Sequence, residues 1–187
     1  NVAAWGYISD MEILNDANHT IYLLAYEWDY TNWWDIVSLY RSEDLGVSFT
    51  KLSSYDVPVY GGANHFVLWS PPYGSPDCYM IENTHVNLLD ATGTPVLQGT
   101  LPITDDGDYM LCGFEGPSST SLYVAHRNYV DNFTHFYTSF DGGVNWNTEG
   151  IIEEGNFSKN SFNCSQKQEG YLFYGGVDSY RSFTAGN

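Results

Sequence analysis

One eight-residue pattern occurs twice in the chain and constrains the fold more than any other feature of the sequence. Residues 42–49 read Ser-Glu-Asp-Leu-Gly-Val-Ser-Phe, and residues 139–146 read Ser-Phe-Asp-Gly-Gly-Val-Asn-Trp. Both fit Ser-x-Asp-x-Gly-x-x-aromatic without gaps. Ser and Asp side chains can bond the backbone N–H groups of a tight turn, Gly permits a positive φ, and the aromatic packs beneath the turn. The pattern therefore predicts a hairpin that the chain uses more than once.

Two weaker copies place the pattern on a regular period. Asp90 lies about midway between Asp44 and Asp141, and Gly93 follows it with one extra residue between them and no aromatic afterwards. A partial copy at residues 180–186 repeats the Tyr-Arg-Ser found just before Asp44, with Thr in the place of the Asp. Self-similarity at a period of about 50 residues indicates a repeat architecture.

The pattern resembles the Asp-box, or BNR repeat, of sialidases, xyloglucanase-type glycoside hydrolases and sortilin-like receptors. This resemblance implies a β-propeller of four-stranded antiparallel blades. In that family each box joins the third and fourth strands of a blade at the outer rim, away from the central face where ligands bind. The resemblance therefore implies a structural role, and no catalytic one, for ten residues: Ser42, Asp44, Gly46, Phe49, Asp90, Gly93, Ser139, Asp141, Gly143 and Trp146.

The rest of the chain has the local character of strands. Short aromatic and β-branched runs alternate with clusters of Gly, Asn, Asp, Pro and Ser, which predicts an all-β protein. The predicted strands are residues 21–28, 35–41, 66–70, 78–81, 109–114, 122–126, 133–139 and 171–174. Divided by the repeat period, the propeller that the resemblance implies is one partial propeller of about three and a half blades, at residues 5–60, 61–104, 105–155 and 156–187.

An incomplete propeller leaves the faces of its end blades uncovered. Each sheet of a propeller packs between two neighbours, and closed propellers typically have about four to eight blades. Three interpretations remain open: a fragment of a longer polypeptide, an unusually small propeller, or copies that complete one another. The expected partners are accordingly further blades of a longer chain or neighbouring copies of this one.

The charge balance excludes several classes of partner. Six Lys and Arg stand against 23 Asp and Glu, which gives a net charge of −17. Nucleic-acid binding depends on clustered Lys and Arg, so nucleic acid is not an expected partner. The acidic surface also disfavours anionic membranes, and no run of about 18 apolar residues predicts insertion into a membrane. The 43% of apolar residues is enough to support a folded core.

Four Asn-x-Ser/Thr sequons indicate a secreted or cell-surface glycoprotein. They begin at Asn18, Asn132, Asn156 and Asn163, and none has Pro in the middle position. The three cysteines, Cys78, Cys112 and Cys164, allow at most one internal disulfide. They can equally be buried thiols, because free Cys is among the most buried residue types.

One segment has the composition of a ligand site. Residues 27–35 combine acids with aromatics between two predicted strands, and the candidate ligand-binding residues are Glu27, Trp28, Asp29, Trp33 and Trp34. Aromatic platforms and carboxylates are what a carbohydrate cleft requires. The alternative interpretation is a hairpin whose Trp residues pack against the next blade.

Enzymatic function is tested by comparison with the hydrolases that the Asp-box suggests. In sialidases, which the pattern resembles, the active site is expected to contain three arginines beside a Tyr-Glu pair and an acid/base Asp. This chain has Arg41 and Arg181 at expected rim positions and only Arg127 near the expected centre. A glycoside hydrolase of the xyloglucanase type needs two carboxyl groups and an aromatic cleft, and it is the better enzyme alternative. No catalytic residue is assigned, and the leading expectation is a recognition or structural module at a cell or filament surface.

Cofactor signals are weak throughout. The oxygen-rich segment 104–108 could suit Ca²⁺ but lacks the full EF-hand pattern. The five histidines show no paired metal-ligand spacing, and no Cys-x-x-Cys accompanies them. No cofactor and no zinc site are therefore expected.

Overall fold

The structure is a computed structural model in which every element is a β-strand. It describes residues 6–29, 34–57, 66–71, 75–104, 107–115, 120–152, 162–165, 172–175 and 179–182. Fifteen strands and no helix occur in these ranges, which confirms the all-β prediction. Consequently, no described segment is a helix long and apolar enough to cross a membrane.

The strands form four separate antiparallel sheets, each made of consecutive strands. Sheet 1 contains β1 (Gly6–Ile13), β2 (Ile21–Asp29), β3 (Trp34–Ser42) and β4 (Thr50–Asp56). Sheet 2 contains β5 (Phe66–Trp69), β6 (Tyr79–Glu82), β7 (His85–Leu89) and β8 (Pro95–Thr100). Sheet 3 contains β9 (Gly107–Glu115), β10 (Thr120–Asn128), β11 (Thr134–Ser139) and β12 (Asn147–Ile152). Sheet 4 has three described strands, β13 (Phe162–Cys164), β14 (Leu172–Gly175) and β15 (Ser179–Ser182).

All eight strands predicted from the sequence are present, to within two residues at each end, as β2, β3, β5, β6, β9, β10, β11 and β14. The other seven described strands, β1, β4, β7, β8, β12, β13 and β15, were not predicted. Of these, β1, β4, β8 and β12 each expose several side chains and lack a continuous apolar run.

The sheets share an irregularity that the sequence period does not show. In each four-stranded sheet the pairing of the third and fourth strands slips by one residue, so that an extra residue bulges from the fourth strand. The bulged residues are Leu52, Gln98 and Glu149, each eight positions after the Asp of the repeated pattern. The bulge thus recurs at the same place in the three four-stranded sheets.

Consecutive sheets pack face to face. One core cluster joins side chains of sheets 1 and 2, including Leu24, Leu39 and Met80. A second joins sheets 2, 3 and 4, including Ile81 and Tyr123. The first strand of each sheet contacts the first strand of the next, in the series β1, β5, β9 and β13. The four first strands are thus brought together.

Candidate functional site

The Ser-x-Asp-x-Gly pattern forms a hydrogen-bonded turn, and turn 3 (residues 139–146) shows it most completely. The Oγ of buried Ser139 accepts a bond from the Gly143 N–H at 2.9 Å and donates to Asp141 Oδ1 at 2.8 Å. Asp141 also accepts bonds from the backbone and the side chain of Asn145, at 2.9 and 2.7 Å. Partial burial would raise the pKa of Asp141, but these bonds outweigh it and lower the pKa. The carboxylate therefore organises the whole turn.

Turn 1 (residues 42–49) reproduces this geometry. Ser42 Oγ accepts from the Gly46 N–H at 2.9 Å and donates to Asp44 Oδ1 at 2.7 Å. Asp44 accepts from the backbone and hydroxyl of Ser48 at 2.9 and 2.6 Å. Bonds from Ser48 and then from Ser42 lower the pKa of Asp44 to about 2. Leu45 and Gly46 have φ values of 58° and 82°, in the left-handed region that Gly adopts without strain.

Turn 2 (residues 90–94) keeps the Asp but uses different partners, because Leu88 stands where the other turns have Ser. Asp90 Oδ1 accepts bonds from the N–H groups of Thr92 and Thr94 at 2.8 and 3.0 Å. Gly93 has φ 83° and donates its N–H to the Asp90 carbonyl at 2.8 Å. The degenerate sequence thus still closes a tight turn around one carboxylate.

Each of these turns joins the third and fourth strands of its sheet, and two of them dock on the preceding sheet. A Cβ on Gly93 would overlap Leu52, which belongs to sheet 1. Gly99 of β8 lies so close to turn 3 that a Cβ there would overlap the carbonyl oxygen of Gly143, and a Cβ on Gly143 would lie 2.9 Å from Val86 of sheet 2. Turns 2 and 3 therefore act as joints between sheets, a role that the sequence pattern alone did not reveal.

The structure assigns Glu27, a candidate ligand residue, to an internal network. Its side chain is buried on β2, where its carboxylate accepts bonds from the Tyr40 hydroxyl, from Ser38 Oγ at 3.0 Å and from Lys51 Nζ at 3.0 Å. Burial would raise the pKa of Glu27, but the bonds from Tyr40, Lys51 and Ser38 lower it. The carboxylate oxygens of Glu27 are therefore largely occupied by hydrogen bonds within sheet 1.

The other candidates of that segment lie where β2 and β3 end. Trp28 is 38% exposed, and its neighbours Asp29 and Trp34 form the last described register pair of the two strands. Trp33 lies outside the described residues. The exposed Trp28 ring and the buried Glu27 carboxylate are on successive residues of a strand and so point to opposite faces. These two candidates therefore do not share a surface.

A cavity of about 330 Å³ lies where the four first strands meet. Asp10 and Glu12 of β1 line it together with residues 67–69, 110–112 and 162–163. The sequence analysis did not single out either carboxylate, because β1 was not predicted as a strand. Their alternation in β1, two residues apart on one face, is the signal that could have identified them.

Both cavity carboxylates bond across the gap between sheets, Asp10 to β5 and Glu12 to the residue that follows β5. Asp10 Oδ2 accepts the Leu68 N–H at 2.8 Å, and Glu12 Oε2 accepts from Ser70 Oγ at 2.7 Å. The pKa of Glu12 is raised to about 7, chiefly by burial. Hydrogen bonds from Ser70 oppose this shift, and the charge of Asp10 adds to it. Glu12 is therefore a carboxyl group that can bind or release a proton near neutral pH.

The three arginines lie on strands other than those that line this cavity. Arg127, expected nearest the centre, is on the second strand of sheet 3, where its guanidinium lies over the Tyr129 ring. Arg41 precedes turn 1, pairs with Glu43 at 2.6 Å and lies over the Tyr22 ring. Arg181 is on β15. Among the described residues that line the cavity there is no arginine, and the central position expected for Arg127 stays a prediction.

The described sequons differ in their surroundings. Asn18 and Asn132 are exposed in turns, between β1 and β2 and between β10 and β11 respectively. Asn163 is exposed on β13 and lines the central cavity. Asn156 lies outside the described residues.

No group of three or more His, Cys, Asp or Glu that could hold a metal ion occurs in the described part of the chain. Asp105 and Asp106, from the segment considered for Ca²⁺, lie outside it.

The chain was compared with protein-family models and with curated proteins. Neither comparison finds a match.

Proposed function

We propose that this chain is an Asp-box β-propeller that acts outside the cell as a recognition or structural module. The observation that carries the proposal is the recurrence of one turn, at one place, in consecutive sheets. Turns 1, 2 and 3 each join the third and fourth strands of a sheet, with a bulge eight residues after the Asp. In this proposal the four sheets are successive blades.

The contacts between sheets support a radial arrangement. The first strands meet around the central cavity, whereas turns 2 and 3 dock at the opposite side of their sheets on the preceding one. A propeller has this order, with first strands lining the axis and fourth strands at the rim. The sheets lie within the segments 5–60, 61–104, 105–155 and 156–187 expected for blades.

The central cavity is the proposed recognition site. It is lined by Trp69, Asn163 and the two acidic residues of β1, and its volume suits a small ligand group. We propose a carbohydrate as the ligand class, since hydroxyl groups can bond to carboxylates and an amide while a ring face contacts an aromatic. Secretion and N-glycosylation complete the proposal, supported by the exposure of Asn18 and Asn132.

A glycan array with the full chain tests this function. The variant Asn163→Trp fills the mouth of the cavity, whereas Ser165→Ala removes the same sequon but keeps Asn163. We expect binding by the native chain and by Ser165→Ala, and loss of binding in Asn163→Trp. Equal binding by all three proteins would place recognition elsewhere. No binding to any glycan, with a homogeneous oligomer in light scattering, would favour a purely structural module.

A glycan-active enzyme is the second candidate, because Glu12 has a pKa of about 7 and lies beside Asp10 in the cavity. A glycoside hydrolase requires one carboxyl group that is protonated at the working pH and a second that is ionised. Turnover of a panel of nitrophenyl glycosides tests this alternative. An enzyme loses turnover in Glu12→Gln while its fold is kept, whereas a recognition module shows no turnover in either protein.

A further inference from the structure

The three cysteines occupy two different parts of the core. All three are buried. Cys112 on β9 and Cys164 on β13 belong to the cluster that joins sheets 2, 3 and 4. Cys78, immediately before β6, belongs to the cluster between sheets 1 and 2. Of the three possible pairs, only Cys112 and Cys164 share a cluster.

Those two thiols also lie in contact. Strands β9 and β13 are neighbouring first strands, and Cys164 donates its S–H to the carbonyl of Gly113, the residue after Cys112, at 2.7 Å. Burial raises the pKa of Cys112 well above its usual value, and a side-chain hydrogen bond with the Cys164 thiol raises it further. A disulfide needs Cβ atoms about 4 Å apart, so it can form only between residues on adjoining segments, and this hydrogen bond places Cys112 and Cys164 next to each other on neighbouring strands.

We propose that Cys112 and Cys164 form the one internal disulfide of this chain when it folds under oxidising conditions, and that Cys78 remains a thiol. The bond joins the first strands of sheets 3 and 4 at the wall of the central cavity, which Cys112 lines. The sequence left all pairings open, and the shared core cluster decides between them.

The chemistry requires an external oxidant, which is a small-molecule disulfide such as oxidised glutathione. One cysteine thiolate attacks a sulfur of glutathione disulfide and releases one glutathione thiolate. The second cysteine thiolate then attacks the mixed disulfide at the protein sulfur and releases the second. Two thiol hydrogens are lost as protons, the cysteines are oxidised by two electrons and one glutathione disulfide is reduced to two thiols. Because burial disfavours the Cys112 thiolate in the folded state, we infer that the bond forms during folding, before the cluster closes.

Refolding in a glutathione buffer followed by non-reducing peptide mapping tests the pairing. The full chain is denatured, reduced, refolded, alkylated with iodoacetamide under denaturing conditions and digested. We expect a linked pair of peptides that contain Cys112 and Cys164, and an alkylated Cys78. A linked peptide that contains Cys78, or three alkylated cysteines, overturns the proposal. Because the oxidant is supplied in vitro, this result does not depend on the proposed extracellular location or on ligand binding.

Thermal unfolding with and without reductant provides a second measurement. The disulfide would close a loop of about 50 residues, so its reduction should lower Tm by on the order of 10 °C. We expect this shift in the native chain and in Cys78→Ala, and no shift in the double variant Cys112→Ala/Cys164→Ala. An equal shift in the double variant, or none in the native chain, contradicts the proposal.

Discussion

Substitution of Gly99 by Ala tests the joint between sheets 2 and 3. Gly99 lies on β8, and a Cβ added there would overlap the backbone carbonyl oxygen of Gly143 and lie 2.7 Å from that of Val144. Backbone of a hydrogen-bonded turn cannot rotate aside as a side chain can. The substitution must therefore separate turn 3 from sheet 2.

The chain contains a matched control for this change. Gly150 occupies the same position in sheet 3, nine residues after the Asp of its turn, and within the described residues no heavy atom lies within 4 Å of a Cβ built there. Gly99→Ala should destabilise by about 1–3 kcal/mol, the usual cost of overpacking. Gly150→Ala should be neutral or stabilise by up to about 1 kcal/mol, because Ala reduces the freedom of the unfolded chain.

Urea unfolding followed by tryptophan fluorescence measures both free energies of unfolding. A destabilisation of about 2 kcal/mol corresponds to a fall in Tm of about 4–8 °C for a chain of this length. Equal stability of the two variants would refute the close approach of turn 3 to β8, and with it the joint.

Three further predictions concern hydrogen bonds and charges of the described residues. Ser139→Ala leaves the buried Gly143 N–H without its acceptor, so we expect the free energy of unfolding in urea to fall by about 1–3 kcal/mol. The control Asn145→Ala, at the exposed end of the same turn, should lower it by no more than about 0.5 kcal/mol. The folded-state pKa of Glu12, about 7, is raised from the ordinary value of 4.5, so its ionisation destabilises the fold as pH rises between these values. Glu12→Gln should therefore be more stable than the native chain at pH 8, by up to about 3 kcal/mol, with no such gain at pH 4, and a pH-independent difference would contradict this. Glu27→Gln should lower the free energy of unfolding by about 1–3 kcal/mol at pH 7 without changing glycan binding, because the carboxylate accepts hydrogen bonds from Tyr40, Ser38 and Lys51. Unchanged stability with a loss of glycan binding would make Glu27 a ligand residue.

The sequence predicted the elements that carry strong local signals. Inner strands such as β2 and β10 are apolar and buried, so their periodicity is clear, whereas the largely buried strand β7 was missed. The turns were predictable because the Ser, Asp and Gly positions are themselves the hydrogen-bonding groups. Outer strands such as β4 and β8 expose much of their surface, and their formation depends on pairing with a neighbour instead of on composition.

The central site could not be predicted, because it depends on contacts between distant parts of the chain. Asp10 and Glu12 acquire their environment only when β5 is placed beside β1, 58 residues away along the chain. Conversely, Glu27 resembled a ligand residue in sequence, and only the positions of Tyr40 and Lys51 assign it to an internal network. The contact of turn 3 with Gly99 is likewise a contact between sheets, and the only local sequence signal for it is the glycine itself.

Distances between the tips of the three turns test the propeller arrangement most directly. Spin labels on noncanonical residues at the exposed positions Val47, Ala91 and Val144 leave the native cysteines unmodified, and double electron–electron resonance gives the three pairwise distances. Blades arranged around an axis make the distance from the first tip to the third about 1.4 to 1.85 times that between neighbouring tips, for four to eight blades. We predict a ratio in this range. A ratio close to two would mean that the sheets are stacked in a line, and it would contradict the propeller.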